Sequence, residues 1–479
     1  MLEKKNKQNI LFGINFQGIR KAGTLIGSAI AGKDYDYTKG NIYKAIILLA
    51  IPMVLEMFME SLFAIMDIYF VSQLGSEAVA IVGLTESIST VIYAIGIGIA
   101  VAATAMISRR IGEKRPIRAS LAAFQVILAT TIMSLPIALT GLLFPENLLL
   151  IMGASEQSAS DMHMYTMLIM VSAPIIMILF AANAIFRSAG NAVTAMKVLI
   201  FANVLNIILD PILIFGFGPI PAMGLKGAAI ATIIGRSLAV GWQFYVLFKG
   251  TSIIKITRRM VRFSLKSILK VYKLAAGVTG QYLIGTASWI GLMRIMAEFG
   301  SDILAAYTIA IRIMIFFLLP AVGIGNAAAT LLGQNLGAKN PDRAEKSVWR
   351  SAYINMIFMT SCGIVLMVFP KEVIGIFTED PAVLLPGAVG LQLVSGGMIL
   401  YALGMVLLNS INAAGDTARP TWFSFIAFWM VEIPAAWFLS RQPEIQQNGI
   451  YYAILLGEAV LTAIAFWWFR KGKWKEVEV

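Results

Sequence analysis

The feature that most restricts the fold of this chain is its series of long apolar segments. Twelve of them reach the roughly 20 residues that a helix needs to cross a lipid bilayer. They cover residues 45–72, 78–106, 119–144, 162–185, 194–216, 227–249, 270–298, 303–331, 346–369, 386–410, 420–440 and 447–470. Of the 479 residues, 58% are hydrophobic and only 13% are charged, unlike a soluble domain. Because backbone polar groups inside a bilayer must be satisfied internally, we predict an all-α polytopic membrane protein.

The basic residues lie in alternate loops between these segments. The loop Ser72–Glu77 has no Lys or Arg, Ser108–Arg118 has five, and Pro145–Asp161 again has none. Because basic loops stay on the cytoplasmic side, we predict a multi-pass protein of a bacterial or archaeal cytoplasmic membrane with both termini in the cytoplasm. The net charge of +12 is then a topology signal, and no nucleic acid partner is expected.

The chain also repeats itself at a constant offset of 225 residues. QLGSEAVA (73–80) matches EFGSDILA (298–305), and IGEKRPIRA (111–119) matches LGAKNPDRA (336–344). Six spans per half is an even number, so the two halves have the same orientation and an axis along the membrane normal relates them. We therefore predict two pseudo-symmetric six-helix lobes, with a cavity between them that opens alternately to each side, as a secondary transporter requires.

These patterns divide the chain into five parts. The predicted boundaries are an N-terminal segment 1–44, a first lobe 45–249, a basic linker 250–269, a second lobe 270–470 and a tail 471–479. Within the first part, residues Ile10 to Ile30 are predicted to form a short helix on the membrane surface.

The first span carries acids that a lipid-facing helix would not tolerate. Glu56, Glu60 and Asp67 fall within roughly 40° of one helical face, so they face protein or water. For Glu56 and Glu60, neutralised packing partners remain an equal alternative to a functional role. Pro52 interrupts the helical hydrogen bonds of the same span and is a predicted hinge.

The fifth span supplies a second polar face. Asn206 and Asp210 share it, and Pro211 follows directly. Asp67 and Asp210 lie at similar depth near the outer ends of their spans, as do Tyr165 in span four and Thr232 in span six. Such an all-oxygen set suits a hard cation such as Na⁺, or a proton shared by two carboxylates. The repeat places Leu292 and Ala435 opposite the two aspartates, so the pair belongs to the first lobe only.

Further charges lie near the middle of the predicted spans. We predict that Arg236 pairs with Glu60 or with Glu86 beneath the cation site. In the second lobe, Arg312, Glu432 and Glu458 are predicted to form one self-neutralising cluster. The only cysteine, Cys362, excludes an internal disulfide.

The twelve spans, the six-plus-six repeat and the segments MDIYFVSQLG and NIILDPILIF, the latter followed by GAAIAT, resemble the multidrug and toxic compound extrusion (MATE) transporters. The chain looks most like the branch named after the DNA-damage-inducible protein, whose cation site lies in the N-terminal lobe. That resemblance implies a site at Asp67, Tyr165, Asn206, Asp210 and Thr232, with Pro52 at the bend of the first helix. The other bacterial branch has acids in spans seven and ten, whereas here span seven offers Gln281 and span ten has no acid.

The expected function is a secondary active multidrug exporter that exchanges organic, cationic or amphipathic compounds for H⁺ or Na⁺. Na⁺ is one candidate ion, held at Asp67, Asn206 and Asp210. The expected partners are small-molecule drugs or toxic metabolites and membrane lipids, and the protein is expected to be a monomer without enzymatic activity or cofactor. A flippase of lipid-linked sugars is the alternative, because that related family shares the architecture. A non-transporting receptor is a third class, which the duplicated lobes and buried acids disfavour.

Overall fold

The structure is a computed structural model, and it describes residues 16–32, 35–249 and 253–479. Helices make up almost all of this part of the chain. The first half consists of α1 (Phe16–Ala31), α2 (Ile42–Ser72), α3 (Ser76–Gly112), α4 (Pro116–Leu143), α5 (Pro145–Ile151), α6 (Glu156–Val171), α7 (Ala173–Ser188), α8 (Ala192–Phe215) and α9 (Leu225–Lys249).

The second half repeats this order. It consists of α10 (Leu265–Met296), α11 (Ser301–Gly337), α12 (Pro341–Val368), α13 (Pro370–Gly375), α14 (Pro381–Gly396), α15 (Met398–Ala414), α16 (Ala418–Phe425), a π-helical turn (Ile426–Glu432), α17 (Ile433–Leu439) and α18 (Asn448–Arg470). Short 3₁₀ turns lie at Arg258–Met260, Ala297–Phe299 and Lys473–Glu476. We call α2–α9 the N-terminal lobe and α10–α18 the C-terminal lobe.

The predicted membrane spans correspond to these helices. In the described residues ten helices are long and apolar enough to cross a membrane, when Glu156–Ser188 (α6 with α7) and Ala418–Leu439 (α16 to α17) are each counted as one helix. The pair α14 and α15, bent by 49°, makes an eleventh span. The remaining predicted span, 270–298, is α10, which is long enough but less uniformly apolar. It begins at Leu265, five residues before the predicted start of that span. Likewise α3 and α11 run a turn or more past their predicted ends, because apolarity marks only the part of a helix inside the bilayer.

The internal repeat is confirmed by the backbone. Helices α3 and α11 both have 37 residues, and α4 and α12 both have 28. Lys114 and Lys339, which the 225-residue offset relates, both adopt the left-handed conformation with φ 57° in the turns after α3 and α11. The fourth and tenth spans break at Ser172 and Gly397, which the same offset relates. The two halves therefore fold alike in detail, and not only in helix number.

The lobes meet tightly where α3 and α11 end. A Cβ atom on Gly112 would lie 1.9 Å from the Gln334 carbonyl oxygen, and one on Gly337 would lie 2.0 Å from the Arg109 carbonyl oxygen. The tail reaches the same place, because Arg110 Nη2 donates to the Val479 backbone oxygen at 2.9 Å. We call this end of the molecule, with the turns 113–115 and 338–340 and the segment 471–479, the basic end. The two lobes are closed against each other there.

Helix α1 packs on the N-terminal lobe close to this end. Its Ala29 is buried against the beginning of α2, in a cluster that includes Ala45 and Ile46. A helix is therefore present at Phe16–Ala31, its position on the membrane surface stays a prediction, and its predicted start, residues 10–15, lies outside the described residues.

Candidate cation site in the N-terminal lobe

The centre of the candidate site is a hydrogen-bonded group on α8 and α9. Asn206 Nδ2 donates to Asp210 Oδ1 at 3.2 Å and to Thr232 Oγ1 at 3.1 Å. The spacing of four residues on α8 places Asn206 and Asp210 on one face. Helix α9 can approach that face closely because Gly235 has no side chain, and a Cβ there would lie 2.8 Å from the Ala202 carbonyl oxygen. All three polar side chains are buried, and Asp210 is completely so.

Two acceptor atoms of this group lack partners in the described part of the chain. Asp210 Oδ2 and Asn206 Oδ1 are both buried and neither accepts a hydrogen bond. Buried polar atoms almost always have a partner, because an unpaired one costs about 1–3 kcal/mol. Carboxylate, amide and hydroxyl oxygens are ligands for hard cations, and a carboxylate is also a proton acceptor. The residues therefore fit a small hard cation or a proton.

Asp67 and Tyr165 complete the group from two further helices. Asp67 on α2 is close enough to Asp210, Tyr165 and Arg236 to interact with them electrostatically. Tyr165 on α6 is only 6% exposed. Asp67 itself takes part in no hydrogen bond or ion pair within the described residues. The structure thus brings all five sequence-predicted residues into one region of the N-terminal lobe.

Pro52 lies on the same helix as Asp67 but far from the cation group. The fifteen helical steps from Pro52 to Asp67 correspond to about 22 Å of helix. Pro52 is buried, and the backbone of the adjacent Met53 packs against Gly323 of α11, where a Cβ would lie 2.8 Å from the Met53 carbonyl. The predicted hinge is therefore located at the contact between the lobes, and α2 connects that contact to Asp67.

Beneath Asp67, the structure selects one of the two predicted partners of Arg236. Arg236 Nη2 lies 3.9 Å from Glu60 Oε1, and Asn203 Nδ2 donates to Glu60 Oε2 at 3.2 Å. The Arg236 guanidinium also lies over the Phe63 ring, 5.5 Å from its centroid. Glu86 is exposed and does not pair with Arg236. Its interacting cation is Arg312 on α11 of the other lobe.

The N-terminal lobe contains a buried ion pair that was not predicted from the sequence. Arg187 Nη1 donates to Glu56 Oε1 at 2.5 Å, and the two side chains are 11% and 1% exposed. No partner for Glu56 was predicted, because Arg187 follows an apolar stretch and borders a loop. Helix α7 in fact continues to Ser188 and turns Arg187 inward. Glu56 is thus a neutralised packing residue, as one of the two alternatives held.

In the C-terminal lobe, the predicted neutralising cluster of Arg312, Glu432 and Glu458 is wrong. Glu432 and Glu458 are buried, whereas Arg312 is exposed and interacts with Glu86 across the lobes. The three residues lie at similar depth along their helices, but similar depth does not determine which side of a helix a residue faces.

The described residues also line an open cavity of about 1040 Å³ at the basic end. It lies between α1, the segment 35–38, the turn after α3 and the start of α8, and Lys114 and Lys197 line it. It is separate from the candidate cation site.

A duplicated bundle of membrane-spanning helices, with two lobes that close on each other and polar groups buried in one of them, defines a membrane transporter. The chain belongs to the MatE family of multidrug efflux transporters, whose family model matches residues 52–212 and 280–438.

Its relatives agree with this assignment. It is 26% identical over 443 residues to the "Probable multidrug resistance protein NorM" of Thermotoga maritima, covering 91% of this chain and 94% of that protein. It is 29% identical over 327 residues to the "FAD transporter" of Shewanella oneidensis, covering 67% and 71%. A solved structure described as the outward-facing conformation of a multidrug resistance MATE family transporter matches with a TM-score of 0.86, at 25% identity, over 92% of this chain and 98% of that one.

Proposed function

We propose that this transporter is a multidrug exporter that exchanges organic cationic or amphipathic compounds for H⁺ or Na⁺. The observation that carries the proposal is the pair of buried, unpartnered oxygens Asp210 Oδ2 and Asn206 Oδ1. They lie in the same region as a second acid, Asp67, which also has no bonding partner among the described residues.

In this mechanism Asp67 and Asp210 hold the coupling ion. A proton would reside on one of the two carboxylates, and Na⁺ would be held by Asp67, Asn206 and Asp210. Thr232 orients the Asn206 amide through its hydrogen bond, and Tyr165 shields the group from lipid. Binding of one positive charge reduces the repulsion between the two aspartates, so it changes the position that α2 prefers.

Helix α2 is the element that transmits this change. Asp67 lies at one end of it, and Pro52 and Met53 lie where it packs on Gly323 of α11. A shift of α2 therefore alters the contact between the lobes directly. Alternating access then consists of opening the closed basic end while the opposite end closes.

The same proposal includes the setting of the protein. The basic end faces the cytoplasm, and the protein works as a monomer surrounded by lipid. The two lobes are 45–249 and 270–470, and the N-terminal segment 1–44, the linker 250–269 and the tail 471–479 lie on the cytoplasmic side. The relative from Thermotoga maritima carries the name "Probable multidrug resistance protein NorM", which supports drugs or toxic metabolites as substrates. The acids Glu60 and Asp67 on α2 argue against a flippase of lipid-linked sugars, because such a substrate carries phosphates.

The test uses purified protein in liposomes with a fluorescent cationic dye. A pH gradient and a Na⁺ gradient are imposed separately on wild type, Asp67→Asn and Asp210→Asn. Asp161→Asn serves as the matched control, because Asp161 is an exposed acid on α6 outside the group. We expect one gradient to drive dye movement in wild type and the control, and both site variants to lose it. Equal transport by the site variants would refute the site, and no transport under either gradient would refute the proposed function.

A further inference from the structure

The C-terminal lobe contains a pair of buried acids that the proposed mechanism does not use. Glu432, at the end of the π-helical turn, is 2% exposed, and Glu458 on α18 is 8% exposed. The two carboxylates are close enough to interact electrostatically. A π-helical turn inside an α-helix frequently marks a functional site. It interrupts the regular hydrogen bonding of the α-helix and changes the direction in which a side chain points.

Neither acid has a counter-ion among the described residues. Glu432 Oε1 accepts a hydrogen bond from Ser288 Oγ at 3.2 Å, and its Oε2 packs against Gly457, where a Cβ would lie only 2.6 Å away. Glu458 forms no hydrogen bond or ion pair in the described part of the chain. Two ionised carboxylates in such a place would cost several kcal/mol each in desolvation, without a cation to repay it.

Buried phenols surround the pair. Tyr307 on α11 and Tyr401 on α15 are 3% and 8% exposed, and neither hydroxyl has a hydrogen-bond partner within the described residues. Tyr401 interacts electrostatically with both acids, and Tyr307 with Glu432. Tyr451 on α18 lies beside Tyr307, with ring centroids 5.8 Å apart. A phenol hydroxyl can donate to a carboxylate, so unpartnered phenols next to acids point to a polar site.

The position of the pair within its lobe corresponds to that of the polar network in the N-terminal lobe. The 225-residue offset relates Ser288 to Phe63, which lies under Arg236. Gly235, directly before Arg236, packs against Asn206 on α8. Gly457, directly before Glu458, packs in the same way against Glu432. Arg236 on α9 and Glu458 on α18 thus each follow a glycine that packs against a polar residue of the neighbouring helix.

We propose that Glu432 and Glu458 form a second proton-binding site, in the C-terminal lobe, and that this pair retains a proton at neutral pH. The proton comes from water and no other bond is made or broken. It leaves a single negative charge on the pair, which the hydroxyls of Ser288 and Tyr401 stabilise. Glu432, Glu458, Tyr307, Tyr401 and Tyr451 are the titratable groups that the surrounding helices contribute.

The test is infrared spectroscopy of the purified protein in lipid, which detects the carbonyl stretch of a protonated carboxyl group and its shift in D₂O. Wild type, Glu432→Gln, Glu458→Gln and the control Glu372→Gln are compared at neutral pH. Glu372 is an exposed acid on α13 of the same lobe. We expect both site variants to lose intensity in this band and the control to match wild type. Asp210→Asn is measured in parallel, because it reports on the N-terminal lobe alone.

A second variant guards against misfolding of the glutamine variants. Tyr401→Phe keeps the shape of the ring and both acids, so we expect it to retain the band but shift its frequency as a hydrogen bond is lost. If the band is unchanged in Glu432→Gln, Glu458→Gln and Tyr401→Phe, both acids are ionised and the inference is wrong. The infrared measurement does not depend on transport, so it can support the second proton-binding site even if no gradient drives dye movement. Conversely, dye movement can support the proposed function even if both glutamates are ionised.

Discussion

Closure of the basic end depends on two glycines, and substitution of one of them should open it. In Gly112→Ala the new Cβ would lie 1.9 Å from the Gln334 carbonyl oxygen, whereas real Cβ atoms essentially never come within 3.0 Å of another atom. The obstructing atom belongs to the α11 backbone and cannot rotate away. Helices α3 and α11 must therefore separate by about 1 Å, and overpacking of this kind costs about 1–3 kcal/mol. Because the cost falls only on the closed arrangement, its population should drop about 5–150-fold relative to the open one.

The assay is a distance measurement between spin labels on the two lobes. Labels are attached at Arg118→Cys and Lys346→Cys, two exposed positions after the turns at the basic end, in a Cys362→Ser background. We expect a longer distance to gain population in Gly112→Ala.

Gly83→Ala is the control, because Gly83 lies on the same helix α3 and a Cβ there would meet nothing within 4 Å. It should show the wild-type distance distribution. If Gly112→Ala also shows that distribution, the two lobes are not held together by this crossing and the reasoning is refuted.

Three further predictions concern the ion pair, the cation site and the segment before α2. Arg187→Met should destabilise the protein by about 3–5 kcal/mol, because it leaves Glu56 buried without a partner, and adding Glu56→Gln should restore much of the loss. Both effects are measured by unfolding the protein in mixed micelles with a rising fraction of denaturing detergent, followed by tryptophan fluorescence. If the losses of stability of the two single variants simply add in the double variant, the pairing is contradicted. Thr232→Val removes one hydrogen bond to Asn206, worth about 0.5–1.5 kcal/mol, so half-maximal dye transport should need about 2–10 times more coupling ion, with an unchanged maximum rate. A lower maximum at unchanged ion requirement would assign Thr232 another role. The hydrogen bond from Thr38 is the main cause that holds the pKa of Asp36 below its ordinary value of 3.8. The stabilisation that the ionised Asp36 gives to the folded segment is therefore present above pH 3.8 and is lost as the pH falls below it. Acid should therefore increase hydrogen exchange in segment 35–41 less in Asp36→Asn than in wild type.

Much of the architecture could be predicted because a bilayer leaves few choices. Apolar length indicated the spans, the charge of the loops indicated their alternation, and the 225-residue offset indicated two like halves. The left-handed Lys114 and Lys339 show that the repeat extends to single turns. The grouping of Asn206, Asp210 and Thr232 was also predicted, because buried polar residues at the same depth on facing helices have few other polar groups to contact.

Partners across helices were predicted poorly. Arg236 had two candidate acids, and only the packing of α2 beside α9 selects Glu60. Arg187 had no predicted partner, and Arg312 was grouped with Glu432 and Glu458 although it faces the other lobe. In each case the sequence indicated depth along a helix, whereas the rotation of that helix about its axis decides which neighbour a side chain meets.

The sequence by itself determined that this chain is a duplicated bundle of membrane helices with a polar site in its first half. Those properties follow from the apolar composition of the spans, the 225-residue repeat and the spacing of polar residues on one helix, all of which can be read along the chain. Only the tertiary structure decided that the lobes are closed at Gly112 and Gly337 and that Glu56 is neutralised by Arg187. It also decided that Glu432 and Glu458 have no cationic partner among the residues that the structure describes. These are contacts between residues far apart in the chain, and their energies depend on distances of a few ångströms that only the packed helices set.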